Sequence, residues 1–225
     1  YKVPNFIFSS SCSVYGNVAI LPVTEDSPQA KAESPYAYTK QIGEVMVEDF
    51  IKISKSLKAI SLRYFNPVGA HVSGLNGELS TIKPNNLFPF ITQTAIGKIE
   101  RLTVYGDDYP TRDGSCVRDY IHVSDIAEAH VLALKKLINE KESLNYDVIN
   151  LGSGNGISVF EIIAAFEYEN DLKLNYTVGP RREGDVESIY SNSNKAKKIL
   201  GWEPKYTVKE MVTSAWKWEK KLFEK

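Results

Sequence analysis

Cysteine and histidine are scarce in this chain of 225 residues, and their scarcity removes whole classes of chemistry. The two cysteines, Cys12 and Cys116, make neither a disulfide framework nor a metal-ligand spacing, and they read as small buried side chains in a reducing compartment. The three histidines, His71, His122 and His130, are scattered without ligand spacing and read as packing or surface residues, so no metal site is expected. An excess of one charge is also missing. Lys and Arg number 27 against 28 Asp and Glu, a net charge of -1, which gives no electrostatic case for nucleic acid or an anionic membrane. A local pair of arginines can still hold a small anion. There is no apolar run long enough to span a bilayer and no signal-peptide pattern, so a cytoplasmic protein is expected. Repeats and low-complexity segments are absent.

A hydrophobic content of 43% suffices for one sizeable core or two smaller ones. The pattern along the chain is alternating strand and helix, an α/β class. Asn5-Phe6-Ile7-Phe8-Ser9-Ser10 is a continuous apolar run of the kind found in buried parallel strands. No glycine-rich phosphate turn precedes it, and the expectation is that the chain opens partway through a parallel sheet. A polar loop over 17–33 is followed by an amphipathic helix from Tyr36 to about Ser54, with Ile42, Val45, Met46, Phe50 and Ile53 at helical spacing. A strand over 57–64 exits sharply at Phe65-Asn66-Pro67-Val68-Gly69-Ala70. Helices are expected from Asn85 to about Ile99, from a cap at Ser124 or Asp125 through Ala127, Val131, Leu134 and Ile138, from Ser158, near Lys195, and over 207–223. Further strands are expected over 102–106, 117–123, 147–151 and 174–178.

The stretch Ser34-Pro35-Tyr36-Ala37-Tyr38-Thr39-Lys40 carries the chemistry. Ser34 suits a helix cap and Pro35 a first turn, so Tyr36 and Lys40, four residues apart, share a face. An ammonium near a phenol favours the phenolate, and such a pair can take a proton from an alcohol. Upstream, the strand ending Ser9-Ser10-Ser11-Cys12-Ser13 supplies hydroxyls. Ligands of open α/β sheets sit at the carboxyl ends of strands, so Ser11 and the Tyr64-Phe65-Asn66 run are expected at one crevice.

Serine after a central strand, followed by Tyr-x-x-x-Lys, resembles the catalytic triad of the extended, nucleotide-sugar branch of the short-chain dehydrogenases/reductases. Arg63-Tyr64-Phe65-Asn66-Pro67-Val68-Gly69-Ala70-His71, Pro84-Asn85-Asn86-Leu87, Val117-Arg118-Asp119-Tyr120-Ile121-His122-Val123 and Pro180-Arg181-Arg182-Glu183-Gly184-Asp185 resemble, in order and spacing, the UDP-glucose 4-epimerase family. The resemblance spans essentially the whole chain. It implies a partial Rossmann fold, a doubly wound parallel sheet, over 1–66, and a smaller α/β nucleotide-sugar domain over 67–225 from which segments such as 117–138 return to the sheet. It implies NAD as cofactor and UDP-glucose and UDP-galactose as substrates, interconverted by oxidation at C4, rotation of the 4-keto sugar and reduction on its other face. Ser11, Tyr36 and Lys40 take the catalytic positions, and Tyr36, Lys40 and Tyr64 the cofactor positions. Ser11, Asn66, Asn86, Leu87, Tyr105, Arg118, Arg182, Asp185 and Ile189 take the substrate positions. Arginine's planar fork suits diphosphate oxygens, although surface pairing with Asp119, Glu183 or Asp185 is open to these arginines, Arg181 above all.

Ile189 stands where the family has a bulky aromatic or a small residue beside the sugar's 2-substituent. An intermediate side chain implies mainly UDP-glucose and UDP-galactose, with limited turnover of N-acetylhexosamines. The family implies a homodimer through the helix that carries Tyr36 and Lys40. A related dehydratase, decarboxylase or uronate epimerase stays open, as does a fragment inactive by itself.

Overall fold

The computed structural model describes residues 3–54, 56–79, 84, 86–139 and 145–224. Three parallel strands form the first sheet in the order β1 (Asn5–Ser11), β2 (Lys58–Tyr64), β6 (Tyr146–Leu151). The pairing sets Ser11 opposite Tyr64 and Tyr64 opposite Leu151, so all three strands end at one rim. β1 has a partner on one side only among the described residues, and Phe6 is exposed on it.

A second sheet is built around β5 (Val117–His122), flanked by β3 (Asn66–Val68), antiparallel β7 (Gly156–Ser158) and the short β9 (Ser188–Ile189). Thus β5 stays in the second sheet, and β6 is the strand that returns to the first. β4 (Leu102–Tyr105) and β8 (Tyr176–Gly179) make a separate parallel pair.

Among the described residues six helices cover these layers: α1 (Pro35–Ile53), α2 (Leu87–Ala95), α3 (Val123–Asn139), α4 (Val159–Asn170), α5 (Asn194–Leu200) and α6 (Val208–Phe223). Capping boxes, Ser158 with Glu161 and Thr207 with Glu210, start α4 and α6. α2 is shorter than its apolar pattern suggests, because Gly97, at φ 81°, turns the chain out of it; Asn85 lies outside the described residues.

Helix α3 departs from the sequence reading twice. Neither Ser124 nor Asp125 caps it. The imidazole Nδ1 of His122 accepts the Ser124 N–H at 3.0 Å, while the Asp125 carboxylate is taken by the N–H groups of Lys205 (3.0 Å) and Tyr206 (3.2 Å). The buried face is Ile126, Ala129, Ala133 and Leu137, packed with Ile60, Leu62 and Ile149, whereas Val131, Leu134 and Ile138 are exposed. Two apolar stripes lie side by side on this helix, and the sheet covers the one with the alanines, which let helix and strands approach closely.

A second core packs α4 and α6 against β4 and β5 through Leu102, Tyr120, Ile162, Phe166 and Met211. The joint between the cores is held by His122, which has no solvent exposure. Its ring stacks on Tyr206 at 4.0 Å, and its Nε2 lies 3.2 Å from Ser214 Oγ. Because Nδ1 accepts a backbone N–H, Nε2 carries the proton in the neutral ring. Gly69, at φ 80°, passes within 2.7 Å of this ring by the position a Cβ would take, so no other residue fits there.

Burial lowers the His122 pKa from 6.5 to about 4 against the opposing pull of Glu210. A histidine that binds its proton less readily when folded contributes stability above its unfolded value, lost as pH falls from 6.5 toward about 4. Thermal midpoints measured across that window are expected to fall more steeply for the native protein than for His122→Asn, whose amide oxygen can keep the cap. Parallel curves would contradict the assignment.

Candidate active site

The Tyr36–Lys40 pair sits at the rim where β1 and β2 end. Helix α1 starts as its sequence dictates, with Ser34 Oγ accepting the Ala37 N–H at 3.1 Å and Pro35 in the first turn. The Lys40 ammonium donates to the Ser9 carbonyl at 2.9 Å and stands 5.3 Å from the Tyr36 ring centre. The Tyr36 ring itself is 57% exposed and free to meet a ligand. Tyr64 has its hydroxyl 2.8 Å from Ser9 Oγ and 2.6 Å from His130 Nε2, and burial raises its pKa against the opposing effect of the Ser9 hydrogen bond. Ser11 Oγ accepts the Ser13 N–H at 3.2 Å, capping a 3₁₀ turn over Cys12–Tyr15. The four side chains Ser11, Tyr36, Lys40 and Tyr64 are thus carried on three adjoining elements.

Beneath this rim lies a network that the sequence reading did not identify. Glu44, one turn beyond Lys40, and Arg63 are 5% and 3% exposed and pair twice, Nη2 to Oε2 at 2.6 Å and Nε to Oε1 at 2.8 Å. Ser10 Oγ and Gln29 Nε2 donate to the same carboxylate at 2.5 and 3.0 Å. Arg63 Nη1 donates to the Tyr15 hydroxyl at 2.9 Å, which donates to Asn150 Oδ1 at 2.6 Å. Burial pushes the Tyr15 phenol up to about 12 while Arg63 pulls it back. A Cβ on Gly43 would sit 2.2 Å from the Phe8 ring, so glycine allows α1 to close on β1.

The second part of the site is a cavity of about 420 Å³ between β4, β5 and α2. Asn66, Asn86, Leu87, Tyr105, Arg118, Arg182 and Asp185, all of them expected from the sequence, line it. Phe90, Cys116, Tyr120 and Val159 are also on the wall; their apolar spacing gave no reason to separate them from core. Asp185 sits between the two cations, 2.7 Å from Arg182 Nη2 and 3.7 Å from Arg118 Nη2. Arg182 lies 5.8 Å from the Tyr105 ring centre. Arg181 turns away, pairing with Asp108 rather than the acids expected for it, and stacking 4.2 Å from the Tyr109 ring centre.

Ser11 and Ile189 are not on this wall. Ile189 is 5% exposed and packs with Val14, Tyr15, Val23 and Phe65, while its backbone registers with Arg118. Cys12, next to Ser11, packs against the same cluster as Ile189. Its thiol is pushed up to about 12 by burial, and the Arg118 charge acts on it in the opposite sense.

The joint is tied by Asp119, a carboxylate with no solvent exposure. It accepts from Ser153 N–H (2.7 Å) and Oγ (2.6 Å), Gly154 N–H (3.1 Å), and Ser191 N–H (3.0 Å) and Oγ (2.6 Å). These bonds connect β5 with the turn after β6 and with the segment after β9.

The model of the family described as GDP-mannose 4,6 dehydratase matches residues 2–215, and the chain belongs to that family of Rossmann-type α/β enzymes. Within it, the chain is 46% identical over 218 residues to UDP-glucose 4-epimerase of Drosophila melanogaster, covering 97% of this chain and 62% of that protein. Among solved structures it resembles the UDP-glucose 4-epimerase of Stenotrophomonas maltophila with bound NAD and formylated UDP-arabinopyranose. There the TM-score is 0.94 at 42% identity, covering 99% of this chain and 65% of that one. The enzyme from Bifidobacterium longum, in complex with NAD+ and UDP, gives a TM-score of 0.91 at 42% identity, covering 97% of this chain and 64% of that one. The chain therefore spans about 62% of the length of the Drosophila relative.

Removing the Asp119 carboxylate leaves buried donors without acceptors, each costing about 1–3 kcal/mol. Asp119→Ala is expected to lose about 3 kcal/mol or more of stability in urea unfolding. A loss below about 1 kcal/mol would show that the joint does not depend on it.

Proposed function

We propose that the full-length protein interconverts UDP-glucose and UDP-galactose, as a UDP-glucose 4-epimerase using NAD. The observation that carries this reading is the arrangement of the site. A phenol–ammonium pair stands at the strand ends, and Asn66, two residues beyond the Tyr64 of that rim, lines a cavity whose arginines, asparagines and aromatic ring suit a nucleoside diphosphate. The runner-up, a dehydratase, calls for an acidic pair after Ser11. Cys12 and Ser13 follow instead, and a thiol held at about 12 is a poor acid or base at neutral pH.

The residues at the rim fit the nicotinamide end of NAD: Lys40 is held by the Ser9 carbonyl beside Tyr36 and Tyr64, at the carboxyl ends of parallel strands. NAD, when bound, supplies the acceptor and donor for the hydride at C4. Tyr36 takes the proton from the sugar's 4-hydroxyl and returns it after the sugar has turned. Lys40, beside the Tyr36 ring, would hold the ribose of the cofactor. Ser11 hydrogen-bonds the same sugar oxygen. Arg118 and Arg182 exchange part of their pairing with Asp185 for diphosphate oxygens, with Asn66 and Asn86 as neutral donors. Tyr105 packs against uracil beside Leu87, and Asp185 accepts from the uridine ribose. The UDP end stays anchored while the 4-keto sugar rotates.

Residues 1–66 then belong to the NAD-binding unit and 67–225 chiefly to the sugar-binding unit. Ile189, intermediate in size, limits turnover of N-acetylhexosamines. Ile42, Val45, Met46, Phe50 and Ile53 are all exposed along α1, which supports a homodimer through that helix. No helix among the described residues is long and apolar enough to cross a membrane, and the reading places the enzyme in the cytoplasm.

Full-length protein with NAD is expected to convert UDP-galactose to UDP-glucose, and the 225-residue chain alone is expected not to. In the full-length protein, Tyr36→Phe should lower kcat by on the order of 100-fold or more with KM little changed. Undiminished turnover by Tyr36→Phe would reject the mechanism. Sedimentation of the full-length protein should give a dimer, and a monomer would reject the pairing through α1.

A further inference from the structure

We infer that the buried Glu44–Arg63 pair fixes the axial register of α1, and with it the placement of Tyr36 and Lys40 against Ser11 and Tyr64. The inference rests on the reaction proposed above. Glu44 is therefore a positioning residue that acts through its neighbours.

Three observations lead there. The first is the stripe itself: Tyr36, Lys40 and Glu44 follow one another at intervals of four along α1, so whatever holds Glu44 also sets the other two. The second is where Glu44 is held. Ser10 and Arg63 are opposite one another in the β1–β2 register, and the next pair along is Ser11 with Tyr64. One carboxylate thus bonds the helix to both strands, one residue short of the groups the reaction uses.

The third is the energetics of the pair. Taking two full charges out of water costs several kcal/mol per ion, and apolar residues of similar volume often hold two elements together as well or better. Adhesion alone does not call for charges here. Directionality does, because the bidentate fork accepts a carboxylate in one position only. Gly43 permits α1 to approach Phe8 closely, but the hydrogen bonds determine where along its axis the helix stops. A slide of one turn, about 5.4 Å, would also bring the Lys40 ammonium to the Arg63 guanidinium, two like charges in a poorly screened interior.

The test uses the full-length protein and compares Glu44→Gln with the double variant Glu44→Met, Arg63→Met. The single variant is expected to lower kcat for UDP-galactose on the order of 100-fold, with KM within about threefold, because the uridine wall is untouched. The double variant is expected to recover the thermal midpoint of the native protein and still lack its kcat. In its crystal structure α1 should be displaced along its axis by more than about 0.5 Å relative to β1. Recovery of kcat together with the midpoint would overturn the inference, since a merely structural pair predicts that outcome. So would α1 unmoved in the double variant, whatever the activity. Absence of turnover in the native full-length protein would reject the proposed reaction and leave the crystallographic comparison to decide this inference.

Discussion

Glu44 is a full negative charge held out of water between a helix and two strands, and the site above it depends on how that charge is satisfied. Its partners are directional ones: the forked guanidinium of Arg63, the Ser10 hydroxyl and the Gln29 amide. Burial opposes the charge on Arg63, yet Glu44 and Tyr15 together outweigh it and hold the guanidinium pKa above its ordinary value. A network of this kind tolerates little displacement, because any shift strands a buried charge. From it the chain gains a rim on which the phenol, the ammonium and the hydroxyls keep their relative places. Tyr15 and Asn150 extend the same network to β6, so all three strands of the sheet are locked to one another below that rim.

Around this fixed rim the rest of the molecule is arranged as a separate grip. The cavity with Arg118, Arg182 and Asp185 belongs to the second sheet and to the β4–β8 pair. Asp185 holds both cations in place, so under the proposed reading the groups that would meet the phosphates are already oriented. Asp119, next in sequence to Arg118, joins that grip to the end of the first sheet through backbone donors. Under the proposed reading, reaction and recognition are carried by different elements and aligned through one buried carboxylate at each place: Glu44 under the rim, and Asp119 at the joint.

Much of this was legible in the sequence because it is written in local signals. Ser34-Pro35 marks the start of α1, Ser158 and Thr207 those of α4 and α6, and the arginine and asparagine motifs bring their side chains to one cavity. What escaped depends on partners distant along the chain. Val131, Leu134 and Ile138 are as apolar as Ile126 and Leu137, and only the sheet decides which stripe of α3 is covered. His122 caps α3 from the end of a strand, where no capping pattern points to histidine. His130 meets Tyr64 across 66 residues. Glu44 could have been noticed, since it extends the Tyr36–Lys40 spacing by one more turn, but its partner Arg63 is reached only through the fold.

The central claim is that an ordered rim holds a phenol beside a sugar hydroxyl. A crystal structure of the full-length protein with NAD and UDP-galactose measures this directly. The account predicts the Tyr36 oxygen within about 3.2 Å of the 4-hydroxyl of the sugar. The same oxygen directed into bulk solvent, away from both sugar and nicotinamide, would contradict it.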